Sequence, residues 1–433
     1  MTQGRDGISL AHRAALRFWE VARQLSVVAA LFTVAAVLAA TADPSYAGGK
    51  KKISVEDRFL EDTVVVSNNG AILGGSVTTY TAGSRDNAKP LFEIKGAATL
   101  MGLGGVQGDA QSSFDGHIVV TSSAANLVMS FGPGQNGNTA PDTVLVGSSD
   151  GSSPTGIIIP QGASFQNPFR MLSANQPQAL PNDDIFANSN FGNVVVADFS
   201  HLAGCTVSPF FTIGSVTEFR RTDSGFPDPF NNSPVFEVPF PPAVAAPVEV
   251  NATIAGCDTA LFGPVGLAFD TFNNLWVADN LGPFVTKYPP GASGDASPSD
   301  FVGAFGATLG DLVDPQYVAV GAEGNELYVS EPSLNRIQIF DVSIPFDASL
   351  INTISGPGSK LNRPMGIASN DTLGGDDLYV VNNNDNSLLM FDDPPFSTPS
   401  VVIRENNHNN RAGRTHLNLP VGVALPQFFL PLD

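Results

Sequence analysis

The stretch "LYVSEPSLNRIQIF", Leu327–Phe340, reads as a strand, a tight polar turn and a second strand. An apolar run gives way to a turn carrying Asn, and an alternating segment follows that ends in Phe. The pattern recurs. "LYVVNNNDNSLLMF" (Leu378–Phe391) aligns with it without a gap, and "LWVADNLGPFVTKY" (Leu275–Tyr288) has the same length. "IVVTSSAANLVMSF" (Ile118–Phe131) fits, with Asn126 at the Asn position. "VVVADFSHLAGCTVSPFFTIGSVTEF" (Val194–Phe219) keeps both strands around a lengthened turn, and "TVVVSNNGAILGGSVTTY" (Thr63–Tyr80) makes a sixth copy.

Each copy has an earlier partner strand introduced by Pro or Gly, clearest in "GPVGLAFD" (Gly263–Asp270), "DPQYVAVG" (Asp314–Gly321) and "RPMGIASN" (Arg363–Asn370). The three late copies repeat at about fifty residues, a spacing that marks propeller blades. A single small sheet cannot bury two apolar faces, so neighbouring sheets must stack face to face around an axis. The final "LPVGVALPQ" (Leu419–Gln427) is a lone first strand, whereas the chain enters the repeats near a second strand, Thr63–Ser67. Pairing the two closes the ring and removes its open edges. The expectation is an all-β, six-bladed propeller of four-stranded antiparallel blades. Its least defined first strand lies near Leu100–Val106.

The repeats resemble the NHL family, whose blade runs Pro-x-Gly-apolar-Ala, then apolar-Tyr-Val-Ala-Asp, then Asn-Arg-Ile and a strand ending in Phe. The match is close over Gly263–Tyr288 and Pro315–Phe340, good over Pro364–Phe391, and weak before residue 190. The Asp after the triplet is present at Asp198 and Asp279, becomes Glu331 in the fifth copy, and is Asn or Ser elsewhere, as at Asn382. These turn residues bond their own backbone and tolerate left-handed conformations, so they are primarily structural. Because they occupy equivalent turns on one face, Asp198, Asp279, Glu331 and Asn382 are also the candidate binding positions.

The N-terminus differs in kind. Arg13, Arg17 and Arg23 precede the uncharged apolar run Leu25–Ala42, and Ser45-Tyr46-Ala47 follows. That is the layout of a secretory signal, residues 1–47, with an uncleaved anchor as the alternative. The body, 48–433, is then one exported domain, periplasmic, cell-surface or extracellular, and is expected to be a monomer. Residues 167–191 and 223–250 read as insertions. A formal charge of −20 leaves no basic patch to neutralise phosphates, which argues against nucleic acid and against an anionic membrane surface beyond the export segment. Only 14% of residues are charged and 42% are hydrophobic, so the chain can build a core.

Two cysteines, Cys205 and Cys257, suggest a disulfide in an oxidising compartment, a pair of buried thiols being the alternative. Propeller topology puts both on loops of one face. Zinc chemistry needs about three converging ligands. His201, His408 and His416 are the candidates, while His117 sits at a strand start. Calcium at Asp198, Asp279 and Glu331 is conceivable. No catalytic constellation is assembled in the sequence. The leading expectation is a non-enzymatic scaffold for a protein, peptide or glycan. The alternatives are a metal-dependent hydrolase or lyase, as in exported propeller lactonases and the amidating lyase, and a cell-envelope structural protein.

Overall fold

In the computed structural model the described residues run from 63 to 425 with interruptions, the longest at 147–162, 166–184, 190–213 and 220–249. The expected leader, 1–47, and the insertion at 223–250, apart from its last residue, lie outside them. The described strands make six four-stranded antiparallel sheets, five of them meanders and one that takes its inner strand from near the end of the chain.

The first sheet opens with β1 (Thr63–Asn68), β2 (Ser76–Thr81) and β3 (Phe92–Ile94). The second holds β4 (Ala110–Ser112), β5 (Ile118–Ser122), β6 (Leu127–Phe131) and β7 (Thr143–Val146). β8 (Ala163–Phe165), β9 (Ile185–Ser189), β10 (Ser215–Phe219) and β11 (Val250–Ile254) form the third. The fourth is β12 (Pro264–Phe269), β13 (Leu275–Asp279), β14 (Phe284–Tyr288) and β15 (Asp300–Val302). The fifth is β16 (Val318–Val320), β17 (Glu326–Glu331), β18 (Arg336–Asp341) and β19 (Ser349–Ile354). β20 (Pro364–Thr372), β21 (Gly375–Asn382), β22 (Ser387–Phe391) and β23 (Val401–Arg404) make the sixth, and β24 (Pro420–Ala424) returns to pair antiparallel with β1, Val65 opposite Ala424.

Side-chain alternation along β13 shows how the sheets bury one another. Leu275 and Val277 pack with Val216 and Ile254 of the third sheet, while Trp276 and Ala278 pack with Val318, Leu327 and Val329 of the fifth. All five residues of β13 are buried, because both faces of a central strand are covered. Val64, Val66 and Val423 meet Tyr379, Val381 and Leu388 in the same way, so the first and last sheets share a core. The inner strands β24, β4, β8, β12, β16 and β20 touch one another in that cyclic order. The fold is an all-β propeller.

Crowding at the axis explains the small residues of the inner strands. A Cβ on Gly366 would lie 2.6 Å from Gly422 Cα and 2.7 Å from the Val421 carbonyl oxygen; one on Gly266 would lie 2.6 Å from Tyr317 Cα. In an open strand Gly→Ala helps slightly by restricting the unfolded chain. Here Gly366→Ala is expected to destabilise by about 2 kcal/mol, since the obstacle is backbone. Urea unfolding of the two proteins checks the sign.

Two expected strands shift. The second strand of the third sheet is Ile185–Ser189, not Val194–Asp198, because it is β9 that pairs with β10, Ser189 opposite Ser215. The stretch 167–191 is therefore not wholly an insertion. The first strand of the second sheet is Ala110–Ser112, not the segment near Leu100–Val106. Residues 97–99 form a single 3-10 turn and Leu100 turns left-handed at φ 61°, so no strand starts at Leu100, and residues 102–109 lie outside the described residues.

Candidate functional site

Antiparallel alternation places the turn between second and third strands of each sheet on the same face as the connection arriving from the previous sheet. This top face is built on a repeated clamp. Asp279, fully buried at the end of β13, accepts the N–H groups of Phe262 (2.6 Å) and Gly263 (2.9 Å) on Oδ2, and that of Gly282 (2.6 Å) on Oδ1. One carboxylate thus ties the incoming connection to the turn. Burial pushes its carboxyl up to about 6, against the pull of these N–H donors.

The equivalent residues do the same with different chemistry. Glu331 accepts the Val313 N–H at 2.6 Å on Oε1 and pairs with Arg336 Nε through Oε2. Asn382 accepts the Asn362 N–H and donates to the Lys360 carbonyl and Ser387 Oγ. Asn68, at the end of β1, accepts the Asn418 N–H and donates to Thr78 Oγ1. The residue facing the clamp selects it: Arg336 supplies a donor to Glu331, whereas Ser387 and the Lys360 carbonyl supply acceptors to an amide. Of the candidate binding positions, Asp279, Glu331 and Asn382 therefore have their polar atoms engaged inside their own sheets. Asp198 lies outside the described residues, and the place opposite Ser215 that matches Asp279 is held by Ser189.

A second repeat fixes the connections. Thr99, Thr259 and Ser359 each donate a hydroxyl to the carbonyl of the Gly three residues before, at 2.7 Å. The following residues, Leu100, Ala260, Lys360 and His416 after Thr415, are all left-handed, at φ 56° to 61°. Buried Tyr80 and Tyr288 donate to the carbonyls of Thr415 and Thr259, and burial pushes both phenols up. His416 thus occupies a structural corner, with Nδ1 2.8 Å from Glu93 Oε2. His117, His201, His408 and Cys205 lie outside the described residues. Among the described residues no group of three or more His, Cys, Asp or Glu side chains could hold a metal ion.

Between the fifth and sixth sheets the top face opens into a cleft of about 530 Å³ lined by Leu334, Asn335, Lys360, Leu361, Asp385 and Arg404, among others. Burial raises the Asp385 carboxyl, while hydrogen bonding from Ser387 and the charge of Arg404 lower it. None of these residues was expected from the sequence. They come from three separate loops and the end of β23, and no spacing along the chain joins them.

No family model matches the sequence, and no curated protein does. Among solved structures, the chain is similar to one in the crystal structure of a nidogen/laminin complex, at 11% identity and a TM-score of 0.49, covering 84% of this chain and 100% of that one. It is similar to a protein of unknown function from Bacteroides caccae, at 8% identity and TM-score 0.48, covering 84% and 98%. It is also similar to a streptogramin B lyase structure, at 15% identity and TM-score 0.31, covering 67% and 69%.

Proposed function

We propose that this chain is an exported, six-bladed propeller of the NHL kind that acts as a non-enzymatic scaffold and recognises a protein, peptide or glycan through its top face. The observation that carries the reading is a set of exposed apolar side chains on successive top-face loops: Leu281 (58% exposed), Val313 (52%) and Leu334 (44%). They ride on loops pinned by the buried clamps, so a partner would meet a preorganised surface and lose little to ordering. Phe272, Ile344, Phe346, Leu350 and Ile351 are also exposed, but they belong to the opposite loops and the outer strand of the fifth sheet.

Export by residues 1–47 is part of the proposal, and so is a Cys205–Cys257 bond. What supports the bond is that Cys257, the one cysteine among the described residues of a chain with two, is not a free thiol. Peptide mapping without reductant tests it; separate Cys205 and Cys257 peptides would count against it.

The scaffold reading is tested by probing peptide and glycan arrays with labelled protein. Binding is expected to one class and to vanish in a Val313→Asp/Leu334→Asp variant while surviving Phe272→Asp. Retention of the signal in the first variant, or chelator-sensitive turnover of lactones, would overturn it.

A further inference from the structure

The cleft between the fifth and sixth sheets brings two cations together with several hydrogen-bonding side chains. Lys360 and Arg404 are exposed, and among the described residues neither comes within ion-pair distance of a carboxylate, although the charge of Arg404 already acts on Asp385. In Asn335 the amide oxygen is occupied by the Arg363 N–H at 2.6 Å. In Asn362 it is occupied by Asn384 Nδ2 at 3.2 Å. The NH₂ group of each therefore remains as a donor. The acid of the cleft, Asp385, already accepts the Ser387 hydroxyl at 2.8 Å. Among the described residues, two cations and two spare amide donors against one engaged carboxylate describe a site for an anion rich in acceptor oxygens.

The apolar part of the lining narrows the class. Leu334, Leu361 and Pro357 offer aliphatic surface beside the cations, and among the described residues the lining carries no aromatic ring. Leu334 also belongs to the exposed top-face series with Val313 and Leu281, so a chain leaving the cleft has apolar surface to follow. We propose that this cleft binds the C-terminal carboxylate of an extended peptide. Arg404 and Lys360 act as counter-charges, Asn335 and Asn362 donate to the terminal peptide oxygens, and Leu334 and Leu361 contact the last side chain. Capture of a chain terminus by clustered donors is an established mode of peptide recognition. The inference rests on the scaffold reading above and names the chemistry of one of its contacts.

The test uses fluorescence anisotropy with dye-labelled pentapeptides that vary in the last residue, each made as free acid and as C-terminal amide. Free acids ending in an aliphatic residue are expected to bind at least about tenfold more tightly than their amides. A Lys360→Gln/Arg404→Gln variant should lose that preference while still melting cooperatively, since both side chains are on the surface. Equal binding of acid and amide, absence of binding to every free acid, or stronger displacement by a glucuronate oligomer than by unlabelled free-acid peptide would overturn the proposal. Array binding that needs Val313 and Leu334 but ignores Lys360 and Arg404 would remove this inference and leave the scaffold reading standing.

Discussion

Deleting residues 418–433 is expected to abolish cooperative folding of the entire ring. β24 is buried along its whole length, with Val421, Val423 and Ala424 at 3% exposure or less. Losing two buried valines forfeits roughly 3–6 kcal/mol. The ladder to β1 goes as well, and each uncovered hydrogen bond of β1 adds about 1 kcal/mol. That sum is comparable to the roughly 5–15 kcal/mol by which a domain is stable at all. The same deletion bares Val64 and Val66, which share a core with the sixth sheet, so the damage reaches both neighbours of the seam. Near-UV circular dichroism and a thermal melt would register the loss. A synthetic peptide spanning residues 414–427 should restore signal in trans, because the strand is contributed as a separate piece. A truncated protein that melts cooperatively without the peptide would show that the seam is not what holds the ring.

How much of this was legible in the sequence depends on where apolar alternation reports burial. Second and third strands are covered on both faces, so they are long, apolar and easily seen, as in Leu275–Asp279 and Leu327–Glu331. Three of the inner strands near the axis, β4, β8 and β16, have only three residues each. Ala110-Gln111-Ser112 is a strand only because β5 pairs with it, and its composition gives no warning. In the third sheet two apolar runs, Ile185–Ser189 and Val194–Asp198, compete within a polar segment, and long-range pairing with β10 selects the upstream one. Local pattern cannot settle such a choice.

A further spacing is present in the loops. Gly83–Pro90, Gly134–Pro141 and Gly291–Pro298 each read Gly-x-x-(Asp or Gly)-(Asn or Asp)-x-x-Pro. The middle residue of each pairs with the outer strand of the preceding sheet. Gly137 donates to the Glu93 carbonyl at 2.8 Å, Gly294 to that of Thr253 at 2.7 Å, and Asp86 to that of Val402 at 2.8 Å. The next side chain reaches the connection below: Asn138 accepts the Ala98 N–H and Asp295 the Asp258 N–H, both at 2.7 Å. These loops latch one sheet to the next at the rim, and the Asp86 latch is a second seam across the closure. Strand periodicity is blind to them because their backbone pairing is made by a turn.

Replacing Asp279 by alanine should cost about 4 kcal/mol, because it orphans the N–H groups of Phe262, Gly263 and Gly282 at a buried site. Asp279→Asn should cost about 2 kcal/mol near pH 7. Its oxygen can serve one set of donors, but its NH₂ group then faces the other, and this clamp offers no acceptor like the Lys360 carbonyl and Ser387 hydroxyl that greet Asn382. The two proteins should also differ in pH dependence. Burial raises the folded carboxyl to about 6, above its ordinary 3.8, so the folded state binds this proton more tightly than the unfolded chain. The resulting stabilisation is present in full below the unfolded value and is lost as pH rises through about 6. Acidifying from pH 7 to pH 4 should therefore widen the gap between wild type and Asp279→Asn, by at most about 3 kcal/mol. Urea unfolding at several pH values between those limits measures the gap. A constant or narrowing gap would mean that the backbone donors outweigh burial, and that the clamp works through a permanently ionised carboxylate.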